Sequence, residues 1–248
     1  MILISLPAYN EEQSLEPLLN DIGNVMNELN IDYKILILDD GSTDNTLKIL
    51  NSFSKKLPLI IKKHSINQGL GKTLNDLFKE SARITNDEDI IITFDADNTH
   101  KPKHIPLMLP HFKEGYNLVI ASRFRKGSKE IGFPLHRILL SQISSLLLRV
   151  IFPIKGVKDY TCGYRAYKSS LLKKAVEKYN ENLITFKGFP GVSEILIKLN
   201  EFNLKVKEIP LILRYDFKKG KSKMKLLSTI KEYFKLIYYF KFKKNRLN

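Results

Sequence analysis

Short apolar runs alternate with longer segments of helical periodicity along the first 125 residues. The short runs are rich in isoleucine and leucine, as in buried strands, whereas the longer segments repeat apolar residues every three or four positions, as in helices. The predicted strands span residues 2–6, 33–38, 59–62, 89–94 and 118–121. The predicted helices span residues 11–29, 44–53, 71–83 and 102–112. This alternation predicts an α/β fold with a mainly parallel sheet.

The pattern changes after Arg123. Residues 124–133 are predicted to form a charged, glycine-containing loop, and residues 134–152 a helix that is apolar nearly all round and has no acidic residue. This helix either packs in the core or lies in a membrane interface. The later predicted elements are a segment at 159–167, helices from residue 169 and at 192–199, and a strand at 204–213.

The C-terminal segment 223–240 has the periodicity of a helix with one apolar face and lysines elsewhere around it. The apolar face comprises Leu226, Leu227, Ile230, Phe234, Ile237 and Tyr238. A basic amphipathic helix with aromatic residues is typical of a membrane surface, and a helix packed on the sheet explains the same stripe. Both interpretations stay open at this point.

The chain is strongly basic, with 41 Lys and Arg against 26 Asp and Glu and a net charge of +15 over 248 residues. Such a charge attracts nucleic acid, an anionic membrane surface or a phosphorylated substrate. The single cysteine, Cys162, excludes an intramolecular disulfide framework and fits a reducing compartment. We expect neither a secretory signal nor a membrane-spanning helix, because the most apolar helix is uncharged only over 138–148 and a bilayer needs ~20 residues.

Two short acidic runs, Asp39-Asp40 and Asp95-Ala96-Asp97, each follow a predicted buried strand. A carboxylate just past an apolar strand is costly unless it has a partner or a function. Both runs fall at the carboxyl edge of the predicted sheet, where open α/β folds bind ligands. Closely spaced oxygen ligands suit Mg2+ or Mn2+, so we expect a metal-bound diphosphate, as in a nucleotide sugar. Asp97 is expected to bind the metal directly, with Asp95 holding ribose, a metal-bound water or both.

Two turns are expected to line the same crevice. In residues 7–12, Tyr9 is placed to pack on a base and Glu11 to accept a hydrogen bond from a nucleoside, although a plain helix start capped by Asn10 explains the same residues. After the second strand, Asp40 is expected to point into the crevice and to accept a hydrogen bond from base or ribose.

Taken in order, these motifs resemble those of family 2 inverting glycosyltransferases with the GT-A fold. The motifs are Pro7-Ala8-Tyr9-Asn10-Glu11, Asp39-Asp40-Gly41-Ser42-x-Asp44, Asn67-x-Gly69 and Asp95-x-Asp97. The resemblance implies a GT-A (Rossmann-like) mixed, mainly parallel sheet sandwiched by helices, with Mg2+ or Mn2+ as the cofactor. The nucleotide-binding residues that it implies are Pro7, Tyr9, Glu11, Asp40 and Asp95. The metal ligands that it implies are Asp95 and Asp97.

Motifs in the second half resemble polyprenol-phosphate glycosyltransferases, among which the dolichol-phosphate mannosyltransferase type is nearest. These motifs are Ser122-Arg123, residues 159–167, Glu194, Ile209-Pro210 with Arg214, and Gly220-x-Ser222-Lys223-Met224. The resemblance implies transfer of a mannose- or glucose-type sugar from a GDP- or UDP-sugar to polyprenyl phosphate. The phosphate- or acceptor-binding candidates are Arg123, Arg214, Ser222 and Lys223. The catalytic candidates are Asp97, Asp159 and Arg123. One departure is Thr99, which stands where the mannosyl enzymes usually carry a glutamine metal ligand.

The resemblance also suggests a division of the chain. A GT-A domain is expected over 1–222, with a nucleotide- and metal-binding half at 1–125 and an acceptor half at 126–222. A basic amphipathic helix, with or without contact to the membrane, is expected over 223–248. We expect a cytoplasmic protein, peripheral on the cytoplasmic face of the membrane, with no nucleic acid as a partner.

The chemistry expected from this resemblance agrees with the residues present. A phosphate acceptor is already ionised near neutral pH, so no strong general base is required. What is required is a metal on the leaving diphosphate and cations that hold two phosphates close together. Asp159 is expected either to orient the acceptor or to pair with an arginine. The histidines expected only at the surface or in packing are His64, His104, His111 and His136. Three alternatives stay open: a saccharide acceptor, synthesis of a nucleotide sugar, and binding of nucleic acid.

Overall fold

The computed structural model describes residues 1–219 and 226–243. Its strands are β1 Ile2–Ala8, β2 Tyr33–Asp39, β3 Leu59–Lys63, β4 Ile90–Thr93, β5 Leu118–Ser122, β6 Lys129–Ile131, β7 Arg165–Lys168, β8 Val206–Pro210 and β9 Ile212–Arg214. Its α-helices are α1 Leu15–Leu29, α2 Thr46–Phe53, α3 Leu70–Ile84, α4 Ile105–Met108, α5 Pro110–Lys113, α6 Leu135–Ile151, α7 Ser169–Tyr179, α8 Pro190–Leu199 and α9 Leu226–Tyr238. Short 3-10 turns lie at Pro102–His104, Asn180–Asn182 and Tyr215–Phe217, and a π-helical turn at Tyr239–Lys243 follows α9.

Within the described residues, seven strands form the main sheet, in the order β3-β2-β1-β4-β7-β5-β8. Neighbouring strands run parallel except at β7, which is antiparallel to both β4 and β5. The register pairs Ala8 with Asp39 and Ser5 with Thr93, so β1, β2 and β4 end at the same edge of the sheet. The predicted mixed, mainly parallel sheet is therefore confirmed, and the loops that carry the acidic runs leave it side by side.

Helices cover both faces of the main sheet. Successive residues of β1 point to opposite faces, so that Leu3 belongs to one apolar cluster and Ile4 to the other. The Leu3 cluster includes side chains of α3, α7, α8 and α9, whereas the Ile4 cluster includes those of α1 and α2. The sheet is thus the middle layer of three, and its buried strands hold the edge loops in place.

Two helix predictions are corrected by local backbone chemistry. The helix predicted from residue 11 begins at Leu15, because Asn10 adopts a left-handed φ of 50° and residues 11–14 form a turn. The helix predicted at 102–112 is broken into a 3-10 turn, α4 and α5. Pro106 and Pro110 each lack an amide hydrogen, which interrupts the helical hydrogen bonds.

Two predictions in the second half are corrected by pairing that is distant in sequence. The predicted loop at 124–133 contains β6, which pairs in parallel with β9 in a separate two-stranded sheet. The single strand predicted at 204–213 is two strands, because β8 joins the main sheet and β9 joins β6. Pro210 ends β8, in accord with its lack of a backbone donor.

The predicted C-terminal helix is present as α9, which packs against α8 and α6. Residues 223–225, with which the predicted helix begins, lie outside the described residues. Residues 220–223 of the basic run 218–223 also lie outside them. The basic tail at 244–248 also lies outside them.

Candidate active site

A cavity of about 830 Å3 lies at the carboxyl edge of the sheet. The sequence-predicted site residues that line it are Pro7, Tyr9, Glu11, Asp40, Asp95, Asp97 and Arg123. Carboxylates from separate parts of the chain meet at this cavity because parallel strands deliver their carboxyl ends to one edge. The rest of the wall comes from α6, the loop before α8, the segment after β9, and α9.

Asp40 is buried in the cavity wall, where its carboxylate holds the loop before α3. Its Oδ1 accepts a hydrogen bond from the Gln68 amide at 2.8 Å and lies 2.7 Å from His64 Nδ1. Its Oδ2 accepts a hydrogen bond from the Gly69 amide at 2.8 Å. The other ring nitrogen of His64 lies 3.1 Å from Asp76 Oδ2. Asp40 is therefore positioned by a histidine to which the sequence assigned no function.

Two glycines let the loops around the cavity approach one another. Gly41 has a φ of +70°, and a Cβ there would lie 2.5 Å from the carbonyl carbon of Ile66. At the start of α3, a Cβ on Gly71 would lie 2.2 Å from the carbonyl oxygen of Phe186. Any larger residue would push these loops apart, so both glycines are required for the close approach of the loops.

Asp95, Asp97 and His100 converge on one point. One carboxylate oxygen of each aspartate and one ring nitrogen of His100 all lie within 4.8 Å of one another. In an extended chain Asp95 and Asp97 would point to opposite sides. The chain instead turns at residues 96–98, with Asn98 at a φ of 63°, and this turn brings the three side chains together.

Hydrogen bonds and a lysine hold Asp97 in its charged form. Its Oδ1 accepts from the Thr99 hydroxyl at 2.6 Å and from the Thr99 amide at 3.1 Å, and its Oδ2 is paired with the Lys218 ammonium. Burial by itself raises the pKa of Asp97, but the charge of Lys218 and these hydrogen bonds outweigh it and leave the pKa below its usual value. Burial lowers the pKa of His100 to about 4, so its imidazole is neutral near pH 7.

The donor set of this cluster fits a divalent metal ion. Two carboxylates and a neutral imidazole offer three ligand atoms at one point. Among the residues that the structure describes, none makes a hydrogen bond to the buried Nδ1 atom of His100. The Thr99 hydroxyl donates its hydrogen to Asp97, whereas the His100 ring nitrogen belongs to the cluster itself. Sequence reasoning missed His100, although it follows Asp97 by three residues, because its direction depends on the intervening turn.

Arg123 and Asp159 form a buried ion pair beside this cluster. Arg123 donates to Asp159 through its backbone amide at 3.0 Å, Nε at 2.9 Å and Nη2 at 2.6 Å. Asp159 also accepts from the Cys162 amide at 3.0 Å. Burial raises the pKa of Asp159, but Arg123 and these hydrogen bonds outweigh it and hold the pKa below its usual value. Asp159 was expected either to orient the acceptor or to pair with an arginine, and the structure shows the pair with Arg123. This pair fixes Arg123 in the cavity wall.

Much of the remaining cavity wall comes from the second half of the chain. From α6 it includes Arg137, Ser141 and Ser144, and from α9 it includes polar and aromatic residues between 228 and 233. Arg137 Nη1 donates to the Tyr215 hydroxyl at 2.9 Å. None of these residues was selected from the sequence, because nothing local distinguishes an arginine of an apolar helix that faces a cavity from one that faces solvent.

The loop before α8 brings a further cation, Lys187, to the cavity. Glu194, a residue of the second-half motifs, is fully buried and accepts hydrogen bonds from the amides of Thr185 at 2.7 Å and Phe186 at 2.8 Å. It is also paired with Lys198. Glu194 therefore positions the loop on which Lys187 lies.

Of the predicted phosphate-binding residues, Arg123 lines the cavity and Arg214 does not, among the residues that the structure describes. Arg214 donates to Asp216 at 2.8 Å and lies 4.0 Å from the Phe217 ring, and it is not among the described residues that line the cavity. Ser222 and Lys223 lie outside the described residues. From the same basic run, Lys218 does reach the cavity.

The outward faces of α6 and α9 carry exposed apolar side chains, which on α9 lie beside Lys231 and Lys235. The exposed apolar side chains are Leu135, Leu139, Ile143, Leu146, Leu147 and Val150 on α6, and Leu227, Phe234 and Tyr238 on α9, followed by Phe242. On α6 the buried side chains are those of Ser144, Ser145 and Leu148, so most of its apolar surface faces away from the core. Over residues 1–219 and 226–243, no helix has both the length and the apolar character needed to cross a bilayer.

Comparison with known proteins gives a consistent family. The profile described as Glycosyl transferase family 2 matches residues 4–176. The chain is 34% identical over 238 residues to dolichol-phosphate mannosyltransferase of Pyrococcus furiosus, an alignment that covers 96% of this chain and 62% of that protein. The chain thus spans less than two thirds of this relative. It is 29% identical over 228 residues to UDP-N-acetylglucosamine--dolichyl-phosphate N-acetylglucosaminyltransferase of Methanococcus voltae, covering 85% of this chain and 84% of that one.

Solved structures show the same fold. Glucosyl-3-phosphoglycerate synthase of Mycobacterium tuberculosis, in complex with Mn2+, UDP and glucosyl-3-phosphoglycerate, matches with a TM-score of 0.65 and 19% sequence identity. The match covers 97% of this chain and 78% of that one. It confirms the predicted GT-A type of Rossmann-like sheet, and at this identity it is a likeness of fold alone.

Proposed function

Because the chain belongs to glycosyl transferase family 2, as its motifs predicted, we propose that it transfers a sugar from a nucleotide-diphosphate sugar to the phosphate of a polyprenyl lipid. The prediction of a transferase is confirmed at the level of the family. The observation that carries the proposal is one cavity in which Asp40 and Asp97 share the wall with Arg123 and Arg137. Two relatives named for dolichol phosphate or dolichyl phosphate support a lipid phosphate as the acceptor.

The nucleoside is proposed to bind beside β1 and β2. Asp40 Oδ2 accepts one hydrogen bond within the described residues, so it retains an acceptor position for a base or ribose donor. Pro7, Tyr9 and Glu11 line the cavity next to it. Asp95, whose side chain is 41% exposed, is accessible to ribose, to a metal ion or to both.

The diphosphate is proposed to lie between the acidic cluster and the cations. Asp95, Asp97 and His100 would hold Mg2+ or Mn2+, which when bound neutralises negative charge on the departing diphosphate. Lys218 already contacts Asp97, so its ammonium lies where it can pair with a phosphate oxygen. Arg123, fixed by Asp159, presents its guanidinium to the same cavity.

The acceptor phosphate is proposed to bind between Arg123 and Arg137. Arginine suits this task because its planar guanidinium makes paired hydrogen bonds to phosphate oxygens. A phosphate oxygen would form its bond to the anomeric carbon as the bond from that carbon to the diphosphate breaks, which inverts the configuration. The attacking oxygen is ionised near neutral pH and gives up no proton to the protein. Burial raises the pKa of Cys162 to about 12, so this thiol is not poised to act as a competing nucleophile.

The apolar outward faces of α6 and α9 are proposed to rest on the membrane that carries the lipid acceptor. Lys231 and Lys235 of α9 are exposed, and each cation near an anionic leaflet contributes about 1 kcal/mol. In this arrangement the enzyme is peripheral on the cytoplasmic face. The half at 1–125 binds nucleotide and metal, and the half at 126–222 together with the helix region 223–248 receives the lipid.

The acceptor is tested with the full chain, vesicles that contain polyprenyl phosphate, and a panel of UDP- and GDP-linked mannose and glucose. We expect a lipid-linked sugar product from one donor. Arg137→Gln should raise the KM for polyprenyl phosphate more than the KM for the donor, whereas Arg83→Gln, a solvent-exposed arginine paired with Glu80, should change neither. Transfer to a saccharide with none to polyprenyl phosphate would replace this acceptor by the saccharide alternative.

Membrane contact is tested by co-sedimentation with anionic vesicles. Ile143 on α6 and Leu107 on α4 are comparably exposed, at 62% and 56%. Ile143→Glu should weaken vesicle binding because it places a charge on the proposed contact face, whereas Leu107→Glu should not. Equal vesicle binding by both variants would rule out α6 as the contact.

A further inference from the structure

His100 has a buried ring nitrogen, Nδ1, that makes no hydrogen bond to the nearby Asp95 or Asp97 within the described residues. The residue is 6% exposed, and within residues 1–219 and 226–243 its Nδ1 atom makes no hydrogen bond, although it lies 3.8 Å from Asp95 Oδ2. A buried polar atom that lacks a partner costs about 1–3 kcal/mol. A nitrogen held in this way, within ligand distance of two carboxylates, is suited to a metal ion.

Packing fixes the direction of the His100 ring. The ring lies edge-on to Tyr164, with centroids 5.5 Å apart and an interplanar angle of 78°. Its Nε2 atom lies 4.0 Å from Cys162 Sγ, a weak partner on the side away from the carboxylates. Histidine ligands of metals are commonly oriented by a contact to their second nitrogen in this way.

Thr99 is hydrogen-bonded to Asp97, one of the two carboxylates of this cluster. Its hydroxyl and its amide both donate to Asp97 Oδ1, at 2.6 and 3.1 Å. A threonine side chain held in this way orients the aspartate. Among the Asp, Glu, His and Cys side chains of the described residues, the third donor at that point is the His100 nitrogen.

We propose that His100 Nδ1 is the third protein ligand of the metal and that it makes the site prefer Mn2+ to Mg2+. This inference rests on the proposed function and specifies the cation of its metal site. Mg2+ takes oxygen ligands in a near-ideal octahedron and keeps several waters. Imidazole is a ligand of first-row transition ions, whereas carboxylate and water suit both Mg2+ and Mn2+. Replacing one oxygen donor by an imidazole nitrogen therefore disfavours Mg2+ more than Mn2+.

Metal binding to the full chain tests this directly, without any measurement of transfer. Free Mn2+ is followed by its electron paramagnetic resonance signal in the presence of UDP or GDP, and bound Mn2+ is then displaced with Mg2+. In the wild type we expect displacement only at a large excess of Mg2+. In His100→Gln, which substitutes an amide oxygen, we expect the Mn2+ affinity to fall by ~10-fold or more, with little change in Mg2+ affinity. His111→Gln, on α5 beside Glu114, is the matched control and should behave as the wild type.

A spin-echo measurement identifies the ligand atom itself. Bound Mn2+ should show coupling to a 14N nucleus in the wild type and in His111→Gln, and should lose it in His100→Gln. Mn2+ bound through Asp97 without nitrogen coupling, or equal competition by Mg2+ in the wild type, would overturn the assignment of His100 and leave the proposed function standing. Failure of Asp97→Asn to weaken metal binding with either nucleotide would instead remove the metal site from the proposed function. If circular dichroism shows that His100→Gln does not fold, the presence or absence of 14N coupling in the spin-echo spectrum of the wild type decides whether His100 is a ligand.

Discussion

The ion pair between Arg123 and Asp159 gives a sharp test of how the cavity is built, because the chain contains a second, exposed pair of the same kind. Asp159 is fully buried and Arg123 nearly so, and the two make three hydrogen bonds. Arg214 and Asp216 make a similar forked contact with side chains that are 30% and 37% exposed. The geometry is matched and the burial differs.

We expect Asp159→Asn to destabilise the fold by about 3–5 kcal/mol, because it leaves the Arg123 charge buried without its partner. For a chain of this size, each kcal/mol corresponds to roughly 2–4 °C in Tm, so the expected loss is about 6–20 °C. Asp216→Asn should leave Tm unchanged within error, since solvent screens the exposed pair. Thermal unfolding followed by circular dichroism measures both. Equal Tm values for the two variants would refute the claim that burial makes the first pair structural.

The same pair predicts an acid dependence. The pKa of Asp159 in the folded protein lies below its usual value, so its contribution to stability is present above the unfolded value of about 3.9 and is lost as the pH falls through the folded pKa. The free energy of unfolding should therefore fall more steeply in the wild type than in Asp159→Asn below about pH 4. Parallel curves for the two proteins over that range would contradict this assignment.

Three further tests address the remaining parts of the site. Asp97→Ala should abolish transfer while the protein without ligand stays folded. It should also remove the Mn2+-dependent stabilisation by nucleoside diphosphate, which is about 2.7 kcal/mol at a ligand concentration of 100 times Kd. Unchanged turnover in this variant would show that Asp97 does not bind the metal. Lys218→Met should tighten Mn2+ binding without nucleotide, because the lysine contacts the Asp97 oxygen that a metal needs, and it should weaken nucleoside diphosphate binding; weaker Mn2+ binding would show that the lysine supports the metal. His64→Ala should raise the KM for the donor with little change in kcat, because Asp40 loses a partner at 2.7 Å. Asp76→Asn, which changes the partner of the other ring nitrogen of His64, should raise this KM by a smaller factor. An unchanged KM in His64→Ala would place His64 outside the donor site.

The sequence predicted those features of the fold that depend on local pattern. Apolar runs of strand length and the helices between them suffice to predict β1 to β5, because each element buries its own apolar face. Pairing between distant segments leaves no such local pattern. The three-residue strands β6 and β9 lie in charged surroundings, and the antiparallel placement of β7 depends on which strand edge is open to it.

The site was predictable to the same extent. The sequence predicts that Asp40 and Asp97 lie close together, because both follow parallel strands whose carboxyl ends share an edge of the sheet. Lys218 could not be predicted there, because it is 121 residues from Asp97 and its contact depends on the path of the chain after β9. Arg214 was assigned to phosphate by resemblance, but in the structure it is paired with Asp216, only two residues away.

The antiparallel strand β7 has a consequence for how the polypeptide matures on the ribosome. β5 pairs only with β7 and β8 within the described residues, and β4 meets β5 only through β7. Until synthesis has passed β7, β5 has none of its hydrogen-bonding neighbours. A nascent chain at that stage exposes unpaired strand edges, which are prone to aggregation. Synthesis must therefore proceed beyond Lys168, the last residue of β7, before β5 can be joined to the part of the sheet formed by β1 to β4.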